Sequence, residues 1–187
     1  IDSWLDSTNA ALAQIMKPAS LIRDRLDEQI RQLMVLQSDV ASHQPSIHKM
    51  YESAQQFIQS SSNVRETKKI ETKVKEVQKK FETLVKTIQT REMFFNEVST
   101  VLELFTNQVE SFEIWYLETI DFLESKELLQ MDADESASKI EELVRRKEQM
   151  KPQYDEMIKN GKALVTKKDV TDTNPCKETI KELEEKW

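Results

Sequence analysis

The sequence predicts an all-α fold, two tandem three-helix bundles joined by a continuous helix, and three observations carry that prediction. The first is the lack of breakers: 187 residues contain one Gly and four Pro, and the stretch from Val64 to Met131 contains neither. The second is a period. From Ile70 through Val74, Val77, Phe81, Leu84 and Ile88, and on from Phe95 to Tyr116, apolar residues recur at steps of four and three, with Arg91 the one polar member of the series. Such a step keeps every member on one stripe of a helix, whereas a strand turns alternate residues to opposite faces. The third is self-similarity. Ile70 to Phe81 (IETKVKEVQKKF) aligns with Cys176 to Trp187 (CKETIKELEEKW) at an offset of 106, and Trp4 aligns with Trp115 at an offset of 111.

In chain order, Trp4, Ala11, Leu12 and Ile15 suit one face of a short helix without a convincing cap, ending before Lys17 and Pro18 because a residue preceding proline disfavours the α region. A second helix is expected from about Ser20 to Ser60, carrying Leu26, Ile30, Leu33, Val40, Ile47, Tyr51, Ala54 and Ile58 inward and bending at Pro45. Ser60, Ser61, Ser62 and Asn63 make the turn, with Asn63 or Ser62 capping the long helix that follows. After an acidic connection from Met131 to Glu135, a helix from about Ser136 to Leu164 presents Ile140, Leu143, Met150, Tyr154, Met157 and Leu164, with Lys147 and Gly161 as exceptions and Pro152 inside it. A loop from Thr166 to Thr173 leads to Asn174, expected as an N-cap before Pro175, and to a last helix bearing Cys176, Ile180, Leu183 and Trp187. The repeat places the first unit at residues 1–96, its first helix cut short at the N terminus, and the second at 97–187, its third helix cut short.

A tryptophan in the first helix of each unit (Ser3-Trp4-Leu5; Ile114-Trp115-Tyr116-Leu117) and an aromatic in the third (Phe81; Trp187), at a period near 106, resemble the landmarks of spectrin repeats. Phe81 stands where the second tryptophan of that pattern is usual. The divergence of the two copies is more similar to repeats of giant cytoskeletal linkers, nesprins first and then spectraplakins or dystrophin relatives, than to spectrin's regular ones. The resemblance implies a spacer rod and docking platform, associated with actin and tying it, in a nesprin-like parent, to the nuclear envelope. It implies cytoskeletal or actin-regulatory protein partners and a cytoplasmic location, reaching the outer nuclear membrane only through the parent protein. The alternative reading is an oligomerisation module of a cytoskeletal crosslinker; the expected state is a monomer.

The residues themselves point away from catalysis. Cys176 sits on the core stripe and reads as a small buried hydrophobe rather than a nucleophile. His43 and His48 are five apart, the wrong spacing for two ligands on one helical face, so neither metal nor cofactor is expected. Trp4, Phe81, Trp115 and Trp187 read as core anchors. Arg91 interrupts the apolar stripe and is expected to snorkel toward water. A net charge of -7 and a pI near 5.1 disfavour nucleic acid. No run of apolar residues is long enough to span a bilayer, so no direct membrane insertion is expected of this segment.

Charge is uneven along the long helix. Residues 64–81 carry seven bases against three acids, whereas residues 103–127 carry seven acids against one base. Within the acidic stretch, Glu113, Asp121 and Glu124 are the candidates for partner binding, on a face that would attract a basic groove.

Overall fold

The computed structural model describes residues 1–187 and is all-α. Its long helices are α1 (Asp2–Ile15), α2 (Arg23–Ser60), α3 (Val64–Leu123), α5 (Ala133–Thr166) and α6 (Asn174–Lys186), with one short helix, α4 (Lys126–Gln130), between the third and the fifth. No helix is long and apolar enough to cross a membrane. The chain divides into two compact units, one of residues 1–19 and 24–97, the other of 20–23 and 98–187. The 60-residue α3 belongs to both, changing unit between Glu97 and Val98 without leaving the helical conformation.

In the first unit α1, α2 and the N-terminal part of α3 enclose Leu5, Leu12, Ile15, Leu26, Leu33, Leu84, Ile88 and Phe95. Asn63 starts α3 as a side-chain cap, its Oδ1 accepting from the Glu66 amide at 3.3 Å. Arg91 does not snorkel: it is 3% exposed. Its Nε donates to the Ile15 carbonyl at 3.2 Å and Nη2 to the carbonyl of Lys17. The reason is local, since the Ile15 carbonyl at the end of α1 and the Lys17 carbonyl just beyond it lack partners within that helix, and a planar guanidinium can serve both. The same group lies over the Phe94 and Phe95 rings, at 4.9 and 4.4 Å from their centroids.

In the second unit the C-terminal part of α3 packs with α5 and α6 around Val98, Leu102, Phe105, Phe112, Met157, Leu164, Ile180 and Leu183. Gly161, an exception in the apolar stripe, marks the closest approach: a Cβ there would lie 2.7 Å from the Phe105 ring and 3.0 Å from Ile180. Residues 20–23 are part of this unit, which is why α2 begins at Arg23 and not at Ser20. Ser20 Oγ donates to Asp172 at 2.6 Å, the Leu21 amide to the Thr171 carbonyl at 3.0 Å, and Arg23 Nη1 to Ser99 Oγ at 2.8 Å. The connection after α5 bends through Asp169 and Asp172, both at positive φ, a conformation that Asp tolerates better than most residues.

Three more boundaries differ from expectation. The long helix ends at Leu123 instead of Met131, because Ser125 caps α4 and accepts from the Leu128 amide. Asp132 caps α5, accepting from Glu135 at 2.9 Å, so that helix starts three residues before Ser136. Thr173 precedes α6 without a side-chain cap bond, and Asn174 is already helical. Pro45 and Pro152 lie inside helices that run on through them.

Candidate functional site

No group of three or more His, Cys, Asp or Glu is gathered as a metal site would require. Cys176 is buried, and burial pushes its thiol above the usual value, so little thiolate forms at neutral pH. His48 faces Glu52 at 3.3 Å on the surface, while His43 is drawn into the tryptophan cluster of the first unit. The candidate residues left to place are the aromatic anchors and the acids of α3.

The four sequence-predicted anchors are all half-buried; the large side chains wholly withdrawn from water are others, among them Phe95, Leu5, Leu26 and Met157. They nevertheless form equivalent pairs. In the first unit Trp4 and Phe81 have ring centroids 6.4 Å apart, and in the second Trp115 and Trp187 are 6.0 Å apart. Each pair joins the first helix of its unit to the third, close to where the shorter of the two ends. Trp4 is fixed further by α2, donating Nε1–H to Asp39 Oδ2 at 2.9 Å and stacking on His43 at 4.0 Å. Trp187 is fixed by α5, stacking on Tyr154 at 4.3 Å with Lys147 Nζ 4.8 Å above its ring. That contact accounts for Lys147 on the otherwise apolar stripe of α5. Sequence reasoning missed His43, Asp39 and Lys147 because each becomes a partner only after a neighbouring helix is laid alongside it.

Ion pairs accompany the aromatic pair in each unit. Acids of the first helix meet lysines of the third: Asp2 with Lys73 at 3.0 Å and Asp6 with Lys80 at 3.9 Å in the first unit, Glu113 with Lys186 at 2.6 Å in the second. The Lys73 hydrogen bond holds the Asp2 carboxyl below its usual value, and Asp2 in turn raises the Lys73 ammonium. Lys80 matches Lys186 in the internal repeat and Asp2 matches Glu113, but Asp2 meets Lys73, whose counterpart is Thr179, and Lys80 meets Asp6, whose counterpart is Leu117, so the ion pairs of the two units are not equivalent.

The acidic candidates are consequently not equivalent. Glu113 is 31% exposed and engaged by Lys186 within its own unit, whereas Asp121 and Glu124 are exposed near the end of α3. The same two helices carry exposed apolar side chains, Leu117 and Leu123 on α3 and Ile140 and Val144 on α5. Between α3 and α5 there is a cleft of about 170 Å³ lined by Trp115, Glu118, Phe122, Glu142 and Arg146 among others. The cleft carries both charges, Glu142 being paired with Arg146 and Lys139, whereas Asp121 and Glu124, on the exposed side of α3, are unpaired acids.

Compared with known proteins, residues 1–94 match the family model of the spectrin repeat. A search of curated proteins finds no match.

Proposed function

We propose that this chain, which belongs to the spectrin-repeat family, serves as a spacer and protein-docking segment of a giant cytoskeletal linker. The family is a structural one of helical scaffolds, and the finer reading is nesprin-like: a parent that ties actin to the nuclear envelope, with this segment recruiting actin-regulatory proteins. Residues 98–187 are read as a second spectrin repeat. What supports this is the internal repeat and the recurrence of its Trp–aromatic pair in both units.

The observation that carries the spacer reading is α3. A helix of 60 residues with no Gly, Pro or capping cluster at the change of unit is a connection without a hinge sequence. Docking is assigned to the exposed acidic end of α3, with Asp121 and Glu124 as its principal charges and Glu113 as a secondary one.

Two measurements test the reading. Light scattering at micromolar concentration should give the mass of one chain; a dimer would favour the oligomerisation alternative. Affinity capture from cell extract should enrich cytoskeletal or actin-regulatory proteins, and Asp121→Lys with Glu124→Lys should lose them at unchanged helical circular dichroism. Identical capture by both baits would reduce that end of α3 to ordinary solvated surface.

A further inference from the structure

Connections between helices run over the surface as a rule, because a buried one must find partners for the backbone N–H and C=O groups it carries. Those at 61–63 and 167–173 obey, since none of their residues is buried. The connection between α1 and α2 does not. Ala19 is 0% exposed, Ser20 2% and Leu21 4%, as deep as the helical core.

Its polar groups are tied at both ends. Within the first unit, Arg91 takes the carbonyls of Ile15 and Lys17, and Gln29 Nε2 donates to the Pro18 carbonyl at 2.8 Å. Residues 20–23 belong to the second unit, where Ser20 Oγ donates to Asp172 Oδ2 at 2.6 Å and the Leu21 amide to the Thr171 carbonyl at 3.0 Å. Arg23 adds a two-pronged hold on Ser99, through its hydroxyl at 2.8 Å and its carbonyl at 3.1 Å. The Ser20 hydroxyl also accepts from the Ile22 amide at 3.1 Å, so one side chain shapes the connector and anchors it. Asp172 meets it from a left-handed backbone position, φ 55°. Only Ala19 separates the last tie on the first unit from the first on the second, which leaves the connector no slack.

The chain thus passes between the units at three places, Ala19–Ser20, Arg23–Asp24 and Glu97–Val98, and two of them are the ends of this connector. The last turn of α1 and the first turn of α2 flank it. Helix ends carry backbone groups without intrahelical partners and open more easily than helix middles, so the corner they form stays closed only while the connector is held. Resting on the spacer reading above, we infer that residues 20–23 are a latch: their anchors on the second unit, Asp172 foremost, hold the α1–α2 corner of the first unit shut. With the anchors gone, that corner opens locally while the rest of the first unit stays folded. In a spacer, such a latch passes the state of one unit to the next without unfolding either.

Hydrogen–deuterium exchange of the full chain, followed by mass spectrometry, tests the latch with Asp172→Gly, Asp172→Asn and Ser20→Ala. Glycine tolerates the positive φ and removes the carboxylate, whereas asparagine keeps an acceptor. Asp172→Gly, a change in the second unit, should speed exchange at residues 12–30 at least about fivefold, with residues 74–95 of α3 at their native rates. Asp172→Asn should retain most of the protection. Ser20→Ala should act on the same residues, and combining it with Asp172→Gly should add little, because both break one bond. Faster exchange confined to residues 166–176, multiplying effects of the two substitutions, or acceleration spread evenly over the first unit would each overturn the inference. Native exchange at 12–30 in Asp172→Gly, with light scattering still giving the mass of one chain, would overturn the latch and leave the spacer reading standing.

Discussion

The tryptophan clusters of the two units are the same frame closed in two chemistries. In each, an aromatic of the first helix meets an aromatic of the third at 6.4 or 6.0 Å. The middle helix then completes the first cluster with polar groups, the Asp39 carboxylate and the His43 ring, and the second with the Tyr154 ring under a lysine. Phe112 adds a further ring to the second cluster, 5.6 Å from Trp115, 5.8 Å from Tyr154 and 6.4 Å from Trp187. The difference teaches that the repeat preserves which helices are pinned together, while the chemistry of the pin is supplied locally. The first cluster depends on a directional hydrogen bond, and the second on buried aromatic area.

The largest effect should come from emptying the second cluster. Phe112 is 3% exposed, so Phe112→Ala removes a buried ring and leaves a cavity among three others, at an expected cost of about 3–5 kcal/mol. Denaturant unfolding followed by tryptophan fluorescence would show it, and a loss below about 1 kcal/mol would mean the rings repack freely.

Next comes the corresponding cut in the first unit. Trp4 is half-buried, so Trp4→Ala forfeits less area and one hydrogen bond to a carboxylate that water can re-solvate; about 1.5–3 kcal/mol is expected. Trp4→Phe separates the contributions, since it keeps the stack on His43 and loses only the bond to Asp39. A cost for Trp4→Phe equal to that for Trp4→Ala would assign the pin to the hydrogen bond alone.

The smallest effect is ionic. Glu113 and Lys186 are 31% and 29% exposed, and a double-mutant cycle to Gln and Met should return a coupling of about 0.2–1 kcal/mol that shrinks in salt. A coupling above about 2 kcal/mol would show that the pair is desolvated far more than its exposure indicates.

Much of this frame was legible in the residues, because it rests on periodicity. The stripe from Ile70 to Tyr116 named the side of α3 that is buried, and the match of Ile70–Phe81 with Cys176–Trp187 named the equivalent positions: Val74 and Ile180 are both buried, as are Val77 and Leu183, while Phe81 and Trp187 are both half-buried. What could not be read was anything decided by two helices at once. Arg91 has the pattern of an interruption until the C terminus of α1 is placed beside it, when it becomes the donor to Ile15 and Lys17. Glu113 has the look of a free surface acid until α6 brings Lys186 to it. Lys147 and Gly161 break the stripe of α5 for reasons that lie on α6 and α3. The early end of α3 was missed for a different cause: Ser125 is a lone cap in a stretch rich in helix formers, and a single cap is a weak signal against strong propensity.

We propose that α3, which runs as helix from the first unit into the second, couples their unfolding, and differential scanning calorimetry of the native chain beside Phe94→Pro reads that coupling. A proline at that place removes a backbone hydrogen bond and clashes with the preceding turn, costing about 3 kcal/mol or more locally while leaving most of the buried residues of each unit in place. One cooperative transition is expected for the native chain, splitting into two in the variant as the coupling through α3 is lost. A native chain that already melts in two widely separated steps, or a variant that still melts in one, would contradict it.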